Sequence, residues 1–164
     1  MTKLIILRGP SGAGKSTTAR MLQRQSSRKI AVVEQDYYKE VMFNDRESSV
    51  KARHEMVIND VLIALQHGFD VILDGIFSLP SHQETFQKLF AQHPDDNYLY
   101  FFDISLDETL RRHQTRWQKD HFGESEMRSW YNLATRTNYM SEIVISDNST
   151  IEQTVMRIRK ETGI

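Results

Sequence analysis

The sequence predicts an α/β fold of three layers, a five-stranded parallel sheet with helices on both faces. Three observations predict it. Short apolar runs of β-branched and aromatic residues recur along the 164 residues. Amphipathic helical patterns separate them, and a glycine-rich turn or a capping-box spacing marks several of the joins. Strands that alternate with helices cross over and pair in parallel, which leaves helices on both faces of the sheet.

Lys3–Leu7 is the first strand. Thr17–Gln25 reads as a helix, with Ala19 and Leu22 one turn apart, and Ile30–Val33 is the second strand. Val50, His54, Val57, Ile58, Val61, Leu62 and Leu65 recur at i, i+3 and i+4. They predict a helix over about Val50–His67, ended by Gly68 at C′. Phe69–Leu73 is the third strand, closed by Asp74. Ser81 and Glu84 have capping-box spacing and open a helix that buries Phe86, Leu89 and Phe90. Tyr98–Ile104 is the fourth strand. Ser105 and Glu108 repeat the capping spacing before a helix from Asp107 to about Trp117. A polar stretch, Gln118–Glu124, leads to a helix from about Ser125 to Arg136. Glu142–Ile145 is the fifth strand. Ser149 and Glu152 form a third capping box before a last helix that buries Ile151, Val155 and Ile158.

Composition narrows the function. Apolar residues make up 39% and charged residues 26%, a globular balance, and the length suits one domain spanning 1–164. The absence of cysteine excludes disulfides, thiolate catalysis and cysteine-based zinc sites. No apolar run approaches the ~20 residues of a membrane span, and the run Leu4–Leu7 is too short for a secretory signal. A cytoplasmic protein is expected. The net charge of −1 favours neither a membrane nor a nucleic-acid partner, but it hides an asymmetry. Residues 1–30 hold seven bases and no acid, so that segment is +7 and the remainder −8.

Gly9-Pro10-Ser11-Gly12-Ala13-Gly14-Lys15-Ser16 satisfies G-x-x-x-x-G-K-[ST], between a strand and a helix, where a phosphate-binding loop belongs. Its backbone N–H groups and the helix N-terminus attract phosphate oxygens. Lys15 is expected to reach the β- and γ-phosphates of ATP, and Ser16 to ligate Mg²⁺, with Thr17 following in the same turn. A GTPase should carry N-K-x-D, which is absent. Asp120–Gly123 fits D-x-x-G but follows no strand. A motor ATPase needs more chain. A compact kinase remains.

A kinase needs a base near the acceptor hydroxyl and positive charge on the transferring group. Asp36, after the second strand, is the candidate base, and an N-cap is its alternative reading. Lys39, one turn on, is placed for substrate or phosphate. Asp74 ends an apolar strand, the pattern in which a carboxylate holds Mg²⁺. By sequence alone Asp36 and Asp74 are interchangeable between acceptor and metal. Arg112 and Arg116 are i, i+4, so one helix face would present both to the phosphates, with Arg111 about 100° round. They begin a lid over about 112–128. The six histidines show no metal spacing, and His54 reads as a hydrogen-bonded core residue. Trp117, Trp130, Tyr131 and Tyr139 read as core aromatics before ring-stacking ones.

These residues resemble, in order and over nearly the whole chain, the P-loop kinases of the nucleoside/nucleotide-kinase-like superfamily. Gln35-Asp36-Tyr37-Tyr38-Lys39, Leu73-Asp74-Gly75, Arg112-His113-Gln114-Thr115-Arg116 and Met127-Arg128-Ser129-Trp130-Tyr131 are most similar to phage-type polynucleotide 5′-kinases and zeta-toxin-like small-molecule kinases. The resemblance implies the P-loop NTPase fold with a short helical lid, and ATP and Mg²⁺ as cofactors. It implies Lys15 and Ser16 on phosphate and metal, Asp36 as base, Asp74 supporting acceptor or metal, and Arg112 and Arg116 on the phosphates. It puts Ser146-Asp147-Asn148 near the adenine. Lys39 stands where the family has an arginine, and lysine lacks the bidentate contact that would read an acceptor's 3′-phosphate. A small-molecule hydroxyl is therefore the expected acceptor. A polynucleotide 5′-hydroxyl is the alternative, then a nucleoside monophosphate, for which Arg46 and Arg53 are the nearby cations. A nucleotide-binding regulator without transfer is the non-enzymatic alternative.

Overall fold

The computed structural model describes residues 1–44, 50–78, 82–136 and 141–164, with only the backbone described at Trp117 and Gln118. Five strands, β1 (Leu4–Arg8), β2 (Ile30–Glu34), β3 (Asp70–Gly75), β4 (Asn97–Asp103) and β5 (Ile143–Ser146), form one sheet in the order β2-β3-β1-β4-β5. Every pairing is parallel. The helices are α1 (Lys15–Gln25), α2 (Gln35–Tyr37), α3 (Val50–Gln66), α4 (Gln83–Gln92), α5 (Leu106–His113), α6 (Glu124–Tyr131) and α7 (Ile151–Thr162). A π-helical turn, Tyr38–Met42, continues α2, and a 3₁₀ turn, Trp117–Asp120, follows α5.

Alternation along β1 sorts the two cores. Leu4 and Ile6 pack with Val57, Val61, Leu62 and Leu89 from α3 and α4. Ile5 and Leu7 pack with Ala19, Leu22, Val155 and Ile158 from α1 and α7. All five residues of β1 are buried, as a strand covered on both faces must be. The register sets Leu7 beside Asp74 and Glu34 beside Asp74. The ends of β1, β2 and β3 thus share one edge, where ligands of open parallel sheets bind.

Several predicted boundaries shift, for local reasons. α5 ends at His113 and not at Trp117, so Arg116 lies beyond the helix. The chain tightens there through i→i+3 bonds, Thr115 N donating to Arg112 O at 3.3 Å and Arg116 N to His113 O at 3.0 Å. α6 stops at Tyr131, short of Arg136, and the chain turns so that the Thr135 carbonyl accepts from Arg8 at 2.8 Å. The last helix is capped one residue later than predicted. Ser149 N closes the turn after β5 onto Ser146 O at 3.0 Å. Thr150 and Gln153 then make the reciprocal box, at 3.2 and 2.9 Å. α4 starts behind His82 without a side-chain cap, and Glu84 pairs with Lys88 at 2.7 Å instead. Ser81 lies outside the described residues. Ser105 does cap α5, accepting from Glu108 N at 3.4 Å. Gly68 ends α3 at φ +82°.

Arg8 closes the strand edge. Its guanidinium is wholly buried, ion-paired to buried Glu142, and donates to the carbonyls of Phe77 (3.0 Å) and Thr135 (2.8 Å). Removing the partner of a buried ion pair leaves an uncompensated charge, which costs about 3–5 kcal/mol. Glu142→Ala is therefore expected to lower the unfolding free energy by that amount in urea titrations. Arg8→Met combined with Glu142→Leu should recover much of it.

Candidate active site

The loop after β1 turns on glycine. Gly9, Gly12 and Gly14 take φ of +144°, +82° and +97°, where a side chain is strained. At Gly9 a Cβ would also stand 2.7 Å from the Phe102 carbonyl oxygen. Pro10 and Ala13 are buried, and Ser11 and Gly12 are half-buried between them. Lys15 folds back over the loop, and its Nζ donates to the Pro10 carbonyl at 2.9 Å. Burial pushes the Lys15 ammonium below its ordinary range, while the charges of Asp74 and Asp36 oppose that shift. Ser16 and Thr17 are exposed in the first turn of α1.

Asp74 is nearly inaccessible at the end of β3. Burial pushes its carboxyl up to about 6, against the Lys15 charge and a hydrogen bond from the Ser16 side chain. A carboxylate bonded to the loop hydroxyl is a donor set suited to a divalent cation that keeps phosphate oxygens among its ligands. Asp36 differs. It is exposed, in α2 just past the end of β2, and is not the N-cap of that helix. It lines a cleft of about 280 Å³ with Lys39, Arg53, His54, Phe77 and His82. The burial contrast separates two carboxylates that the sequence leaves interchangeable.

Of the two arginines paired by spacing, only Arg112 is helical. Arg112 donates to the Ala13 carbonyl at 3.0 Å and to Glu108 at 2.6 Å. Arg111 is the solvated one, paired with the same glutamate. Hydrogen bonds from Arg111 and Arg112 hold the Glu108 carboxyl below its usual range. Arg116 lies within electrostatic reach of Asp36, Asp74 and Lys15. Among the described residues, its buried Nη1 has no hydrogen-bond partner. His113 donates from Nε2 to the Phe122 carbonyl at 2.9 Å and stacks on that ring, which pins the segment between them.

Two predicted residues stand outside this cluster. Lys39 lies 5.6 Å from the centre of the Trp130 ring and pairs with Glu40. Asn148 is exposed in the turn after β5, at the sheet edge opposite β2. His54 is not a core residue: it is half-buried and lines the cleft, its ring tilted against that of His82 with centroids 4.2 Å apart. Trp130 packs on Phe122, and the Tyr131 hydroxyl donates to Ile104 O at 3.0 Å, so both aromatics serve packing. Arg46, Tyr139 and the Trp117 side chain lie outside the described residues. Sequence reading missed Gln35 and His82, which meet only through tertiary contact. For Gln35 the one available signal was its place beside Asp36.

Comparison with known proteins agrees with the fold. A family model described as an AAA domain matches residues 4–128. No curated protein matches the sequence. Among solved structures, the chain is similar to the Mycobacterium tuberculosis APS kinase CysC in complex with AMPPNP and APS. The TM-score is 0.71 at 17% identity, over 97% of this chain and 96% of that one. It is similar to a gluconokinase from Sinorhizobium meliloti 1021, with TM-score 0.67 at 12% identity, over 98% and 94%. It is also similar to a chain of the Pnkp1/Rnl/Hen1 RNA repair complex, with TM-score 0.61 at 23% identity, over 81% of this chain and 44% of that one. These likenesses show the P-loop kinase fold that the sequence resemblance implied.

The raised Asp74 carboxyl has a thermodynamic consequence. Between its unfolded value near 3.8 and its folded value of about 6, the folded state holds the extra proton. This group's stabilisation is complete below the lower value and is lost as pH rises through the upper one. Asp74→Asn should flatten that part of the stability–pH curve in urea unfolding between pH 4 and 7, and raise stability at pH 8.

Proposed function

The chain belongs to the family described as an AAA domain, and from that premise we propose that it is an ATP-dependent phosphotransferase acting on a hydroxyl of a small molecule. One observation carries this reading. Lys15, Asp36, Asp74 and Arg116 all act on one another electrostatically, and Asp36 also lines a cleft.

The loop amides and Lys15 bind and orient the triphosphate. Ser16 and Asp74 would hold Mg²⁺, which when bound neutralises charge on the phosphoryl oxygens. Asp36 accepts the proton of the acceptor hydroxyl as its oxygen bonds to the γ-phosphorus. The bond from that phosphorus to the bridging oxygen breaks, and ADP leaves with the electron pair. Arg116, with an unsatisfied buried Nη1, stabilises the charge that spreads over the transferring group. Arg112 holds the loop at the Ala13 carbonyl. Lys39 contacts the acceptor from the cleft wall, and Asn148 lies toward the adenine. The segment over about 112–128 serves as a lid that excludes water, so that transfer outruns hydrolysis.

Labelled ATP offered with a panel of sugars, nucleosides, antibiotics and single-stranded oligonucleotides tests the reading. Phosphate should appear on a small molecule. Oligonucleotide labelling with salt-sensitive binding would move the acceptor to a polynucleotide, and a wholly silent panel with intact ATP binding would leave a regulator. Asp36→Asn should lower kcat about 10²–10⁴-fold with ATP affinity preserved in calorimetry. Arg116→Ala should cost about 10²–10³-fold in kcat and change the acceptor KM little.

A further inference from the structure

A side-chain amide beside Asp36 decides the chemistry of the cleft floor. Gln35 Oε1 accepts from two main-chain donors, Ile76 N at 3.1 Å and Phe77 N at 3.4 Å. Only the amide oxygen accepts, so the other terminal atom is the nitrogen. That nitrogen is 2.9 Å from His82 Nε2. An amide NH₂ only donates, so His82 Nε2 carries the lone pair. The ring proton is then on Nδ1, which donates to the Ser78 carbonyl at 2.9 Å. Each bond determines the next, from backbone to tautomer. An imidazolium would set a second N–H against the amide donors.

The fold enforces the approach. A Cβ on Gly75 would stand 2.5 Å from Gln35 Oε1 and 2.5 Å from the Phe77 ring, so the third strand must end in glycine for Gln35 to reach across. His82 is buried, and its ring packs against His54 at 4.2 Å and edge-on to Phe77 at 5.3 Å. Among the described residues, Arg8 from β1 and Arg53 and His54 from α3 act on it, and all oppose a further positive charge. Burial, the largest cause, pushes His82 down to about 4. Burial and Arg53 also push His54 below its ordinary value, and Glu84 on α4 opposes this. Asp36 and Lys39 line the same cleft from α2 and the turn after it.

We propose that Gln35 is a positioning residue whose amide locks His82 as a neutral, Nδ1-protonated imidazole, so that the cleft floor selects an uncharged part of the acceptor over an anionic one. This rests on the phosphotransferase reading for the word acceptor, but the lock itself does not. At the floor, the neutral rings beside Val57, Ile76 and Phe77 remove water from whatever reaches them without themselves offering a compensating charge, while Asp36, Lys39 and Arg53 line the same cleft. The same amide spans the ends of β2 and β3, and so sets where its neighbour Asp36 stands over the cleft.

The test uses the full chain, ¹⁵N-labelled, with the histidine side chains followed by long-range ¹⁵N–¹H correlation from pH 5.5 to 8. Wild-type His82 is expected to show the Nδ1–H tautomer and no titration. Gln35→Glu keeps an acceptor for Ile76 and Phe77 but puts an anion against His82 Nε2. It should convert the ring to an imidazolium, raising its midpoint by two or more pH units, with ATP binding unchanged. A wild-type Nε2–H tautomer, or a wild-type midpoint near that of free histidine, overturns the lock. In transfer assays with matched pairs, glucose against glucose 6-phosphate and adenosine against AMP, wild type should favour the uncharged member at least tenfold. Gln35→Glu should narrow that ratio and make it pH-dependent. Preference of wild type for the anionic member overturns the selectivity. Silence on every pair and on the whole acceptor panel, with ATP binding intact, overturns the phosphotransferase reading and leaves the tautomer result to stand by itself.

Discussion

The buried Arg8 guanidinium is the constraint on which the active edge of this molecule depends. It sits at the last position of the central strand, one residue before the phosphate loop. From there it neutralises Glu142, which leads into β5, and takes up the carbonyls of Phe77 after β3 and Thr135 after α6. Three segments far apart in sequence are therefore referred to one planar group, which also lies over the Phe101 ring at 5.2 Å. Arginine suits this place because its fork serves several acceptors at fixed angles and keeps its charge when buried. The cost of burying that charge is met by one carboxylate and two carbonyls, and the loops that provide them cannot move independently.

Around that point the charges divide by depth. Lys15 and Asp74 are buried, and each shifts the other toward its ionised form against desolvation. Asp36 stays at the surface of the cleft. Arg116 bridges the two levels, with Asp36 and Asp74 both acting on it. A deep carboxylate bonded to the loop hydroxyl and a shallow one at the cleft mouth are a division of labour that parallel register creates. Leu7 and Glu34 both pair with Asp74, so the three strand ends cannot be staggered. Gln35 and His82 add neutral groups to the cleft that Asp36, Lys39 and Arg53 also line.

Much of this was legible in the chain before folding. The β-branched runs, the stripe from Val57 to Leu65 and the Gly-rich loop are local patterns with a single physical reading, and the sheet, its helices and the loop follow from them. Element ends were less legible because tertiary bonds decide them. α6 could run to Arg136 by propensity, but Arg8 takes the Thr135 carbonyl. Ser149 and Thr150 have equal capping chemistry, and the turn onto Ser146 leaves Thr150 as the cap. Arg112 and Arg116 were paired by helical spacing. The structure parts them: Arg112 stays helical and bonds the Ala13 carbonyl, while Arg116 lies in the turn beyond the helix, within electrostatic reach of Asp36 and Asp74.

The sequence by itself determined the fold class, the phosphate loop and the set of charged residues near it, because each rests on spacing along the chain and on residue types whose chemistry is local. Only the tertiary structure decided which of Asp36 and Asp74 is buried, and that His54 lines a cleft and not the core. It alone brought Gln35 to His82 across 47 positions of sequence. Burial and hydrogen-bond partnership are properties of neighbours in space. Composition does not encode them, and they shift the protonation of Lys15, Asp74 and His82.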